Sequence, residues 1–199
     1  VGTEYIGSEI RSSGPTYADI DYSYVSDCGS YEYTLRHVEF PQNDENRTYY
    51  TLSLEFLKDL KIEDVKNNFT LFSFDGRSEA FSLMSHTNEM GEKEEKNITR
   101  TNGFSEIINI GNKNPFFAYY GLDNKNTGIM NFAYIMKDYN ITIGGRKWDG
   151  NFVLRNSYKE NLNYGELSLM EGDISFKKGD TINIDFILLP WGTGTETND

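Results

Sequence analysis

GDTINIDFILLPWG, residues 179–192, opens as a strict alternation and closes as an apolar run. Successive side chains of a strand point to opposite sides, so Ile182, Ile184, Phe186 and Leu188 share one face. Thr181, Asn183 and Asp185 share the other, which is wet at first, and Ile187 and Leu189 then make that same face apolar. Such a strand belongs at the centre of a large sandwich. One face rests on the core throughout, and the second is covered further along by a loop or a neighbouring domain. Pro190 has no N–H to give a ladder and is expected to end it, with Trp191 capping the core edge.

The same period of two recurs along the chain. It runs through TYADIDYSYV (16–25), YEYTLRHVEF (31–40) and YYTLSLEFL (49–57), where Tyr50, Leu52, Leu54 and Phe56 fall together. KDLKIEDVKN (58–67) suits a short helical turn or an irregular crossover. FTLFSF (69–74) and AFSLMS (80–85) flank an Asp-Gly pair and read as a hairpin. The stretch 86–103 is polar, with a Glu/Lys run, and reads as a solvated mobile loop. FSEIINI, PFFAYYGL and IMNFAYIMK follow as strands. NITI (140–143) and NFVLR (151–155) read as a tight hairpin with Trp148 at its tip. SYKENLNYG then reads as a loop before ELSLM (166–170) and DISF (173–176).

The expected fold is all-β: a large, mostly antiparallel sandwich of about twelve strands with little helix. Composition agrees, because 14 Tyr and 13 Phe stand against four Ala, and strands favour rings where helices favour Ala. Residues 1–192 are expected to form one domain, and 193–199 a polar tail or linker.

A net charge of −12 repels phosphate backbones and anionic lipid, so nucleic-acid binding and membrane attachment are disfavoured. No apolar run reaches the length of a spanning helix, and no signal peptide is visible. The one cysteine, Cys28, precludes an intrachain disulfide and reads as a tolerated loop residue without a basic neighbour. Four N-x-[ST] sequons occur, at Asn46, Asn68, Asn97 and Asn140. Twenty Asn and thirty Ser or Thr among 199 residues make about three by chance, so glycosylation is not implied.

No catalytic or cofactor motif rises above background. The two histidines, His37 and His86, lack a nucleophile elbow. No Cys/His cluster suggests zinc. The oxygen-rich turns NDEN (43–46) and DNKNTG (123–128) leave calcium open, although neither fits the calcium-loop pattern and Asn and Asp populate turns anyway. Asp19 with Asp21, and Glu39 with Glu55, are the candidate carboxylate pairs for glycoside chemistry, against a plain solvated face. GGRKWDGN (144–151) sets Trp148 beside Arg146, Asp149 and Asn151, with Tyr158 and Tyr164 expected in the next loop. Trp148 stacking on a sugar, with Arg146, Asp149 and Tyr158 around it, competes with Trp148 folding back as a lid on the core.

The strand layout and the closing KKGDTINIDFILLPWG resemble the large β-sandwich modules of secreted bacterial polysaccharide-acting proteins. The resemblance implies an extracellular or cell-surface module that binds glycan or acts as a spacer beside neighbouring domains of its polypeptide. A glycoside hydrolase or lyase domain using paired carboxylates, and a purely structural or protein-interaction domain, are the alternatives. No cofactor is expected.

Overall fold

The computed structural model describes residues 2–40, 47–77, 81–121 and 130–192. Among them, sixteen strands and one helical turn follow in chain order: β1 (Thr3–Gly14), β2 (Tyr17–Ser26), β3 (Tyr31–Glu39), β4 (Thr48–Phe56), β5 (Leu60–Ile62), α1 (Val65–Asn68), β6 (Phe72–Arg77), β7 (Leu83–Thr87), β8 (Lys93–Asn97), β9 (Phe104–Ile110), β10 (Phe116–Tyr120), β11 (Met130–Ile143), β12 (Arg146–Lys147), β13 (Phe152–Lys159), β14 (Leu162–Ser168), β15 (Ile174–Phe176) and β16 (Thr181–Gly192). The protein is an all-β antiparallel sandwich. A ten-stranded sheet runs β1-β2-β3-β4-β16-β11-β10-β7-β8, with β12 hooked onto β11. A four-stranded sheet runs β6-β14-β13-β9, and β5 pairs with β15.

The strands beyond the expected dozen have readable causes. Bulges at Ile6 and Arg11 break the alternation of β1. The run KEEKN forms β8, an outer strand of the large sheet and not a loop; charge there blunts a free edge. β5 and β12 are only two or three residues long.

β16 is central, between β4 and β11. Its Ile182 and Ile184 are fully buried, Phe186 is buried and Leu188 packs against the core. Ile187, on the opposite face, is also buried, so the second face is covered where the apolar run begins. Pro190 does not end the ladder: it pairs with Phe132, and β16 continues to Gly192. It falls beyond Leu188, the last residue paired with β4, and proline is tolerated where a strand has a neighbour on one side only.

Three turns differ from expectation. FTLFSF and AFSLMS form no hairpin, because β6 lies in the small sheet and β7 in the large one. Asp75 and Gly76 sit inside β6, opposite Tyr164 and Asn163. Gly76 answers to packing: a Cβ there would come within 2.3 Å of the Phe81 ring. The true turn after Ile143 is Gly144-Gly145, with φ of 61° and 75°, the two-residue hairpin geometry that glycine favours. Glu160 and Asn161, at φ 53° and 65°, make a similar turn between β13 and β14, and so Tyr158 and Tyr164 lie on strands and not in a loop.

Five rings cross five adjacent strands of the large sheet: His37 (β3), Tyr50 (β4), Phe186 (β16), Tyr134 (β11) and Phe117 (β10). Their successive centroids are 4.8, 5.0, 4.6 and 5.2 Å apart, each pair stacked. The small sheet covers only the far end of this row. Phe72 of β6 meets Tyr134 at 4.9 Å, and Phe74 meets Phe132 at 4.4 Å. Strands β1–β4 extend beyond it.

One carboxylate fastens the start of β16. Asp180 is buried, and it accepts N–H groups from Gly144 (2.6 Å), Gly145 (2.8 Å) and Lys177 (2.7 Å). Asp180→Ala leaves these donors without their charged acceptor and is expected to destabilise the fold by about 2–4 kcal/mol, with Asp180→Asn falling between it and wild type. Urea unfolding checks both.

Candidate functional site

The overhang of β1–β4 creates the site. A groove of about 480 Å³ separates the inner face of β3, β4 and β16 from the segment joining α1 to β6. Tyr33, Leu35, Tyr50 and Leu52 form its floor, Phe69 and Leu71 one wall, and Asn68 and Thr70 a polar rim. At its inner end Phe69 meets Tyr31 edge-on at 5.8 Å, and there the face closes over buried Tyr31, Leu54 and Phe56. Away from that end Tyr33, Leu35, Tyr50 and Leu52 stay half-buried. Burial, with a smaller contribution from Tyr33, pushes the Tyr31 phenol up to about 12. Burial also raises Tyr50 and Tyr24.

Among the described residues no carboxylate lines this groove. Asp19 and Asp21 do share a face, but it is the opposite, outer one. Arg36 grips Asp19 with two hydrogen bonds of 2.9 and 2.8 Å and holds its carboxyl below the usual range. Arg11 takes Asp21 at 2.5 Å. Glu39 and Glu55 do not face each other. Glu39 follows the parity of His37, whose partner is Tyr50, and Glu55 lies opposite Glu32 on the outer side. His37 stacks on Tyr50, with Nε2 3.6 Å from Glu39. His86 opens no loop: it is buried within β7, its Nδ1 3.2 Å from the Thr87 carbonyl. Among the described residues no group of His, Cys, Asp and Glu is arranged to hold a metal ion. The turns 43–46 and 123–128 lie outside the described residues, as does the tail 193–199. Cys28 is exposed, and its thiol is drawn down by the hydroxyls of Ser30 and Ser26, a cause that needs no basic neighbour.

Trp148 leaves the end of β12 and turns back onto the core. Its ring meets Phe152 at 4.8 Å and Tyr139 at 6.2 Å, both edge-on. Gly150 lies against the indole, where a Cβ would come within 2.9 Å. Arg146 and Asp149 are exposed nearby, and the Asp149 carbonyl accepts the Asn112 side chain at 2.6 Å. Tyr158 is not with them: it is buried near the far end of β13, six residues past Phe152, about 20 Å along a strand. The groove tyrosines read as core in the sequence because their alternation is that of a covered strand. Only the mismatch of a ten-stranded sheet with a four-stranded one leaves them open.

No family model matches the chain, and no curated protein matches it. Solved structures do. The chain is similar to the galactosidase domain of an alpha-galactosidase-sucrose kinase, with TM-score 0.61 and 11% identity over 95% of this chain and 28% of that one. It is similar to the GH36 alpha-galactosidases AgaA and AgaB from Geobacillus stearothermophilus, each with TM-score 0.60 and 11% identity over 97% of this chain. The likeness is one of fold, and the chain spans 28% of the length of those proteins.

Trp148→Ala is expected to destabilise the fold by about 2–3 kcal/mol, because the half-buried ring packs on Phe152 and Tyr139. Thermal unfolding checks it. Folding favours the neutral Tyr31 phenol, so stability that is complete below pH about 10, its unfolded value, is lost as pH rises towards about 12. Tyr31→Phe should flatten that part of the alkaline limb in a Tm-against-pH series.

Proposed function

We propose that the chain is a non-catalytic, glycan-associated module of a larger protein, and that its overhanging inner face seats the neighbouring part of that protein. The half-buried aromatic floor beside a 480 Å³ groove carries this reading. An open apolar surface of that kind marks a contact surface. The floor rings are also spent on one another, since Tyr24 stacks on Tyr33 at 4.7 Å and Tyr50 on Phe186 at 5.0 Å. Rings stacked in this way present edges and hydroxyls outward, which suits a protein surface better than the face of a sugar. The fold likeness to alpha-galactosidases several times longer supports a place within a glycan-acting polypeptide. AgaA variants have been crystallised with raffinose and stachyose. In this reading the parent protein acts on galactose-bearing oligosaccharides outside the cell or at its surface. The arginine-tied Asp19 and Asp21, and a groove whose described lining holds no acid, support a non-catalytic role.

The isolated chain is expected to bind the dye ANS and to self-associate as concentration rises. Leu52→Lys and Leu35→Lys should each remove most of both effects, with stability changed by less than about 1 kcal/mol. No hydrolysis of p-nitrophenyl α-galactoside is expected. A wild-type chain that neither binds ANS nor self-associates contradicts the docking face, and turnover that disappears with Asp19→Asn or Asp21→Asn establishes an enzyme instead.

A further inference from the structure

The outer face of the small sheet carries a second, chemically different surface. A shallow concavity of about 670 Å³ lies across β6, β14 and β13, lined by Ser73, Asp75, Arg155, Ser157, Tyr164 and Glu166 with Lys159 at one end. The ladder register sets these residues in rows. Asp75, Tyr164, Ser157 and Ser105 lie side by side across four strands. Ser73, Glu166 and Arg155 form the next row. Arg155 is held in place, with Nε donating to Glu166 at 2.6 Å and a terminal nitrogen to the Asn67 side chain.

Tyr164 shares one feature with Tyr22, Phe104 and Tyr158. Tyr24 stacks on Tyr33, and Trp148 packs on Phe152 and Tyr139. Among the described residues no other ring meets Tyr164. Its half-buried side chain lines the concavity, and the positions beside it on β13 and β9 hold only the short Ser157 and Ser105. The ring thus lines the concavity with hydroxyls, carboxylates and a guanidinium within its own or the adjacent row.

We infer that this surface is a binding site for one ring of a neutral oligosaccharide, with Tyr164 as its platform. A pyranose offers a patch of C–H groups to an aromatic face and a rim of hydroxyls that both donate and accept. Asp75 and Glu166 accept, Arg155 and Lys159 donate, and Ser73 and Ser157 do both. Among the described lining residues two carboxylates stand against two cations, close to neutral on a chain of net charge −12. That balance favours an uncharged ligand over an anionic or cationic one. The ligand class rests on the glycan-associated reading above; the geometry of the patch does not.

The test is a titration of the ¹⁵N-labelled chain with cellohexaose, maltohexaose and galactobiose, followed by amide shift changes. At least one sugar is expected to bind with an affinity in about the millimolar range and to shift amides of β6, β13 and β14. Tyr164→Ala should weaken it about tenfold or more, while Tyr164→Phe, which keeps the ring face, and Trp148→Phe stay within about threefold of wild type. Unchanged amide spectra away from the site show that each variant is folded. Three results overturn the inference: no shifts with any of the sugars, shifts that survive Tyr164→Ala, or loss of binding in Trp148→Phe. Leu52→Lys separates the two surfaces, because it should abolish ANS binding and leave the sugar titration unchanged. Failure of the titration with the ANS result intact removes the sugar site alone.

Discussion

The ring row His37, Tyr50, Phe186, Tyr134 and Phe117 is the constraint on which the architecture turns. It crosses five strands that are scattered in the chain, so it forms only when β16 inserts between β4 and β11. Each stacked pair adds about 0.5–1.5 kcal/mol beyond the area it buries. Its exposure grades from end to end: Phe117 and Tyr134 are at 1% and 2%, whereas the His37 side chain is at 24%. The small sheet closes over the first part through Phe72 and Phe74 and stops. One continuous set of contacts is thus core at one end and the floor of an open groove at the other.

Two surfaces follow from that arrangement, with opposite chemistry. The overhang keeps rings stacked and apolar, and its described lining holds no acid. The outer face of the small sheet carries paired charges, serines and a ring left unstacked. On the large sheet's outer face, arginines neutralise the carboxylates nearest β1 and β2. Among the described residues, Asp19 and Asp21 are thus tied to Arg36 and Arg11 on a solvated face.

Much of this was legible in the sequence wherever one face of a strand is buried. The change in β16 from a wet to a covered second face falls at Ile187, where the apolar run begins. The period-2 reading failed at β1, because bulges at Ile6 and Arg11 shift the phase, and at β8, because a charged edge strand has no apolar face to announce it. Asp75-Gly76 imitates a turn, but Gly76 makes room for Phe81. Glu160-Asn161 is a turn without glycine. Of the residues singled out for binding, Arg146, Trp148 and Asp149 stay together by adjacency, while strand geometry carries Tyr158 away. The groove had no signature of its own, since Tyr33 and Tyr50 alternate like any core residue and their exposure depends on how many strands the second sheet has.

Amide hydrogen exchange measured strand by strand reads the partial cover of the large sheet. Protection should be greatest in β16 and β11, lie close to the global unfolding free energy there, and fall stepwise from β4 through β3 to β2 and β1. Protection in β1 and β2 equal to that in β16 would contradict the account, since it would require a cover over the inner face that leaves no groove.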